Sequence, residues 1–131
     1  MAKLTDDQLA QLKALLQRRY LELREEIRGE LERSGDERYA DLAGAVADPG
    51  DDSVADLLVD LNAALVDRQV NEMREVEAAL KRMADLDFGD CIDCGGEIGF
   101  DRLMAYPTAQ RCVRCQSLHE KTYSHEPNPT L

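Results

Sequence analysis

All four cysteines of the chain fall in one stretch, as Cys91-x2-Cys94-x17-Cys112-x2-Cys115. Zn2+ takes four soft ligands at the corners of a tetrahedron, and thiolates are the softest ligands a protein offers. Two cysteines separated by two residues can turn back onto one ion through a tight knuckle. Gly95 and Gly96 follow the first pair and relieve the backbone at that turn. Two such pairs at this spacing close a four-cysteine site. A catalytic zinc keeps one position open for water; four cysteines fill the shell. The expected cofactor is therefore one structural Zn2+ held by Cys91, Cys94, Cys112 and Cys115, with iron in the same thiolate cage as an open alternative.

Other uses of four cysteines fit less well. The chain starts Met1-Ala2-Lys3-Leu4-Thr5-Asp6, without an apolar leader, so disulfides are not expected and a cytoplasmic location is. A dithiol redox site would call for a reactive thiolate on a thioredoxin-like sheet, a pattern that is missing. His119 and His125 have no ligand-like partners once the cysteines have filled one ion, and read as surface or packing residues.

Before the cysteines, the chain reads as helices. Thr5-Asp6-Asp7-Gln8 is a capping box. Apolar residues then recur at Leu9, Leu12, Leu16, Tyr20, Leu23, Ile27 and Leu31, a three-four spacing that gives a helix with one apolar seam, ending near Ser34-Gly35. Gly35, Gly44, Pro49 and Gly50 then break the pattern, and about 35–52 read as an acidic loop, with a helical turn conceivable over Leu42 to Val46. A second helix starts at Asp52 or Ser53, with Val54, Leu58, Leu61, Leu65, Met73, Val76, Leu80 and Met83 on its seam and Gln69 interrupting it; at roughly 30 residues it would be ~45 Å long. Two such helices bury their seams by folding back on each other. The predicted fold is thus mainly α: a long antiparallel two-helix coiled coil (1–86) joined to a small four-cysteine zinc module with a C-terminal helix (87–124), then a flexible tail (125–131). Within the module, Glu97 to Phe100 and Leu103 to Tyr106 read as short strands around a turn. A helix from Val113 to about Tyr123 would aim its first amides at the thiolates.

Charge narrows the function. The net charge is -11, and most of the excess sits in residues 35–60, where eight acids face Arg38 alone. Affinity for nucleic acid comes largely from Lys and Arg, so a DNA-reading zinc finger is disfavoured. Aromatic residues make up 5% of the chain and Trp is absent, which argues against a thick globular core. No apolar run approaches a membrane span. The sequence holds no Gly-rich phosphate loop, no Ser-His-Asp set and no converging carboxylate pair, so no enzymatic activity is expected. Pairs such as Glu22–Arg18, Glu25–Arg28 and Glu77–Lys81 sit at helical spacing and read as solvated faces.

Asp87-Phe88-Gly89-Asp90-Cys91-Ile92-Asp93-Cys94-Gly95, Glu97-Ile98-Gly99, Arg102-Leu103, Pro107-Thr108-Ala109 and Cys112-Val113-Arg114-Cys115 resemble the DksA/TraR family of bacterial regulators that bind RNA polymerase. With the helical hairpin included, the resemblance covers roughly residues 4 to 124. It implies a protein that inserts the end of its coiled coil into the secondary channel of RNA polymerase and does not bind a DNA sequence. The family carries two aspartates there in the pattern D-x-x-D-x-A; Asp48 and Asp51 match them, and Ser53 stands where the family has Ala. Arg68 and Arg102 match positions that contact polymerase in the family. Where well-studied relatives have a basic cluster for the alarmone ppGpp, this chain has Glu75, Tyr106 and Gln116; a polyphosphate would be repelled by Glu75, so little or no ppGpp binding is expected. A monomer is expected. The competing readings are a zinc-stabilised coiled-coil adaptor for another protein and a thiol-based redox or zinc sensor.

Overall fold

Residues 4–48, 53–58 and 66–124 are described in the computed structural model. Asp51, Asp52, the seam positions Leu61 and Leu65, and the tail with His125 fall outside them. The described residues form six helices: α1 (Asp6–Arg33), α2 (Glu37–Ala47), α3 (Val54–Leu57), α4 (Asp67–Ala84), α5 (Phe100–Ala105) and α6 (Val113–Ser124).

Helix α1 starts as its sequence dictates. Thr5 Oγ1 accepts from the Gln8 amide at 3.0 Å, and the Gln8 side chain accepts from the Thr5 amide at 3.0 Å. Two of the orphan N–H groups at the helix start are satisfied reciprocally. The seam buries Leu12, Leu16, Leu23, Ile27 and Leu31, with Leu9 and Tyr20 half-buried at its edge. The helix ends where Ser34 Oγ donates to Leu31 O at 2.7 Å and Gly35 takes a φ of +76°, a left-handed conformation that glycine reaches without a Cβ clash.

Helix α4 runs antiparallel to α1. Leu4 lies against Gly89 at one end, and further along Arg19 bonds Glu72. Arg19 donates twice to that carboxylate, from Nε at 2.5 Å and Nη2 at 2.8 Å, the fork geometry in which guanidinium binds best. Val70, Met73, Val76 and Ala79 face α1. One cluster joins these to Leu16 through Leu31, and it takes in Ala43 and Val46 of α2 and Val54, Ala55 and Leu58 around α3. No charged or polar residue is buried among the described residues. Each fully buried Leu or Ile in this cluster stabilises the fold by about 1.5–3 kcal/mol before entropy is counted.

Three expectations are corrected. The acidic segment read as loop over 35–52 carries helix α2 over eleven residues, packed against α1. Ala43 and Val46 are buried there at three-residue spacing, and this apolar edge outweighs the helix-weakening effect of Gly44, about 1 kcal/mol. Two described positions within the second long helix's expected span are not α-helical: Leu58, in a turn with its N bonded to Ala55 O, and Val66, with a ψ of 6°. At the start of α4, Val66 and Val70 are buried and Gln69 is half-buried between them. Finally, the two strands expected inside the zinc module are not formed: Phe100–Ala105 is helix α5, and the extended pairing is a single bridge between Asp90 and Glu97. Leu103 is fully buried from α5, which a helix achieves with one residue per turn.

The end of α4 has a feature of its own. Leu86 N donates to Met83 O at 3.1 Å, Asp87 N donates to Arg82 O at 2.8 Å, and Leu86 has a φ of +61°. This is the paired bonding of a Schellman stop, a position that usually holds glycine. Here a leucine occupies it.

Candidate metal centre and partner-binding residues

The two cysteine pairs, far apart in sequence, converge on one point and are held there by backbone and side-chain bonds. In the first knuckle, Gly95 N donates to Cys91 O at 3.0 Å and Cys91 N to Gly96 O at 2.7 Å. Gly95 has a φ of +74°, so the glycine after the pair is required by the turn. The second pair sits at the start of α6, where Cys115 N points at Cys112 Sγ at 3.5 Å, as the helix-start argument expects. Cross-links hold the knuckles in register. Ile92 N donates to Gln110 O at 3.0 Å, Arg111 Nε to Asp93 Oδ2 at 2.8 Å, and Arg102 Nε to Arg111 O at 3.0 Å.

The four sulfurs lie within 4.8 Å of one another, and Cys94 and Cys112 are 4.0 Å apart. A tetrahedron with Zn–S bonds of about 2.3 Å has edges of about 3.8 Å, so the cage fits the ion. Among the described residues this is the one group of His, Cys, Asp and Glu side chains so placed. Four thiolates cannot crowd together without a cation, and Zn2+ supplies that charge. The donor set is that of a structural zinc ion with a closed shell.

The module is not independent of the hairpin. Leu12 of α1 is fully buried in one cluster with Cys91, Ile98, Leu103, Ala109 and Cys115. The sequence showed Leu12 as one more seam residue and gave no sign that it faces the metal module.

The residues expected to meet a partner are spread over the surface. Asp48 is exposed just after α2, its N–H bonded to Gly44 O at 3.2 Å; Asp51 lies outside the described residues. The chain returns at Ser53, whose Oγ donates to Glu77 Oε1 at 2.6 Å. Glu77 is seven residues from the end of α4, or ~10 Å along its axis. The acidic segment is therefore anchored on the flank of the hairpin, away from its far end at Ser34–Gly35. Arg68 is exposed in the first turn of α4. Arg102 is half-buried in α5, with its guanidinium 5.9 Å from the Tyr106 ring. Glu75, Arg102, Tyr106, Gln116, His119 and Glu120 line one cleft of about 460 Å³. Its two arginines are engaged: Arg102 with Arg111 O, and Arg111 with Asp93. Of the ion pairs expected from spacing, Glu25–Arg28 forms, whereas Glu22 meets Arg19 and Lys81 meets Asp85.

The comparison with known proteins agrees with this site. Residues 87–121 match the family model of the prokaryotic dksA/traR C4-type zinc finger. The chain is 38% identical over 104 residues to the RNA polymerase-binding transcription factor DksA of Escherichia coli K12, covering 79% of this chain and 68% of that one. It is 33% identical over 117 residues to the protein of that name from Salmonella typhimurium, covering 89% and 74%. The solved structure of transcription factor DksA2 from Pseudomonas aeruginosa superposes with a TM-score of 0.65 at 32% identity, covering 95% of this chain and 92% of that one. Over a hairpin and a four-cysteine module that match together, the chain belongs to the DksA/TraR family.

Proposed function

We propose that this chain is a transcription regulator that binds RNA polymerase and acts without chemistry of its own. The observation that carries the reading is the match, over most of the chain, to proteins named as RNA polymerase-binding transcription factors. The closed zinc shell supports a fold-holding role for the metal, and the net charge of -11 speaks against direct binding to DNA. No helix among the described residues is long and apolar enough to cross a membrane.

Within this reading Arg68 and Arg102 dock the protein. Arg68 and Glu75 are seven residues apart on α4 and share a face, and Glu75 lines the cleft with Arg102; the two arginines thus look out on the same side. Asp48 and Asp51 carry the effect on transcription, as solvated carboxylates that can meet basic side chains or disturb a bound Mg2+. Entry into the polymerase secondary channel by a thin two-helix arm asks α2 to leave α1, which exposes Ala43 and Val46. The cleft at Glu75 is a poor home for ppGpp: Glu75 and Glu120 oppose polyphosphate, and Arg111 beside them is already paired with Asp93.

Retention of purified RNA polymerase by the immobilised chain tests the reading directly. Asp51→Asn is expected to leave retention nearly intact and to abolish the effect on transcription from responsive promoters. A wild-type chain that retains no polymerase overturns the proposal; an Asp51→Asn chain as active as wild type removes the acidic segment from it.

A further inference from the structure

Leu86 is 92% exposed and has a φ of +61°. Both facts count against a leucine at this place. Glycine adopts the left-handed conformation without steric cost, and a bulky side chain does not. Folding recovers nothing by burying it, since it lies almost wholly in water. Leucine at such a stop is therefore unexplained by the stability of the chain, and strained residues of this kind collect at contact sites.

The side chain lines a groove of about 330 Å³ between the start of α1 and the zinc module, whose walls are the apolar Leu4, Leu9, Met83, Phe88 and Phe100 together with Gln8. Acids rim it. Asp90 and Glu97 line the groove, and Asp87 follows Leu86 in the chain, while Asp85 on its other side is paired with Lys81. A second copy of the chain would bring the same acids face to face, at a repulsive cost. A partner segment with an apolar side chain next to Lys or Arg would fill the groove and neutralise its rim.

We propose that Leu86 and this groove form a docking surface for such a basic and apolar segment of RNA polymerase, separate from the acidic segment and from the cleft at Arg102. The proposal rests on polymerase being the partner. Leu86 is then held in a strained conformation because the contact needs an apolar side chain projecting there. Binding of purified polymerase is measured for the full-length zinc-loaded chain, for Leu86→Gly and for Leu86→Met, alongside the melting temperature of each. Leu86→Gly relieves the backbone and is expected to melt at or above the wild-type temperature, yet to bind about tenfold or more weakly, as the loss of one buried leucine implies. Leu86→Met keeps both the strain and an apolar side chain, and binds as wild type does. Equal binding by wild type and Leu86→Gly overturns the docking surface while leaving the polymerase reading standing. Failure of wild type to bind overturns both. A dimer of the free chain that Leu86→Gly dissolves would assign the groove to self-association and also overturn the proposal.

Discussion

Leu12 is the residue through which the helical hairpin and the zinc module feel each other, and its removal gives a quantitative test. The side chain is fully buried among Cys91, Ile98, Leu103, Ala109 and Cys115, with Leu4, Leu15 and Phe88 packed around them. Leu-to-Ala changes in packed cores cost about 2–5 kcal/mol. Half-buried neighbours such as Leu4 and Phe88 can move in to fill part of the gap, so Leu12→Ala belongs near the lower end, about 2–3 kcal/mol. If that energy holds the module on α1, the undocked form becomes about 30–150-fold more populated. Zinc leaves more readily from an undocked module, so transfer to an excess of a chromogenic chelator should speed up by a comparable factor. Ile27→Ala is the control. Ile27 is equally buried but lies in the other cluster, with Leu23 and Leu31; its loss should lower the melting temperature by a similar amount and leave zinc transfer at low temperature close to wild type. Equal transfer rates for Leu12→Ala and Ile27→Ala would refute the reasoning, because the metal would then sense only global stability.

Cys94→Ser, or removal of zinc by a chelator, should loosen residues 87–124 and spare most of the hairpin. Helices α5 and α6 hold 6 and 12 residues, against 28, 11, 4 and 18 in the others, so the helical signal in circular dichroism should fall by no more than about a quarter; a complete loss would contradict it. For the ion pair across the hairpin, the hydrogen bond from Arg19 holds the Glu72 carboxyl below its ordinary range. A depressed carboxyl stabilises the fold above its unfolded pKa, about 4.3, and that contribution fades as pH falls through the folded value. Both side chains are more than a third exposed, which limits the contribution to about 0.5–1 kcal/mol. Glu72→Gln should therefore lower the melting temperature slightly at pH 7, with the gap to wild type narrowing as the pH falls below about 4.3, and a gap that stays constant on acidification would argue against the bond.

The cysteine spacing and the seam of α1 carried most of what can be read from the chain, for a physical reason. Both are local patterns: a knuckle is closed by residues four or five apart, and a helical face repeats within one turn. The capping box at Thr5 and the amides aimed at Cys112 Sγ follow the same logic. Contacts set by distant residues were not legible. Nothing near Leu12 marks it as facing the metal module rather than α4. The six residues of α5 look like a strand because Phe100, Leu103 and Met104 are apolar, and only the bond from Leu103 N to Gly99 O, with Leu103 buried beneath, shows the helix. Arg111 and Asp93, which tie the two knuckles, lie eighteen residues apart; a pair so separated leaves no local sign.

The acidic segment shows most plainly how placement depends on packing. Gly35, Gly44, Pro49 and Gly50 argue for a loop on local grounds, and Gly44 indeed has open space around its Cα. Helix α2 forms all the same because the hairpin leaves an apolar flank on α1 that Ala43 and Val46 can cover. Once α2 is docked, the chain cannot carry Asp48 to the far end at Ser34–Gly35; it must return along α1, and the Ser53–Glu77 bond marks where it arrives. Where Asp48 stands is thus a property of the α1–α2 contact and not of the acid itself. That contact takes in Tyr39 and Leu42 as well as Ala43 and Val46, and it belongs to the same cluster as the seam between α1 and α4. A partner that binds an extended arm has to overcome this contact, while the Arg19–Glu72 pair between α1 and α4 and the packing of Leu12 in the zinc module do not involve α2.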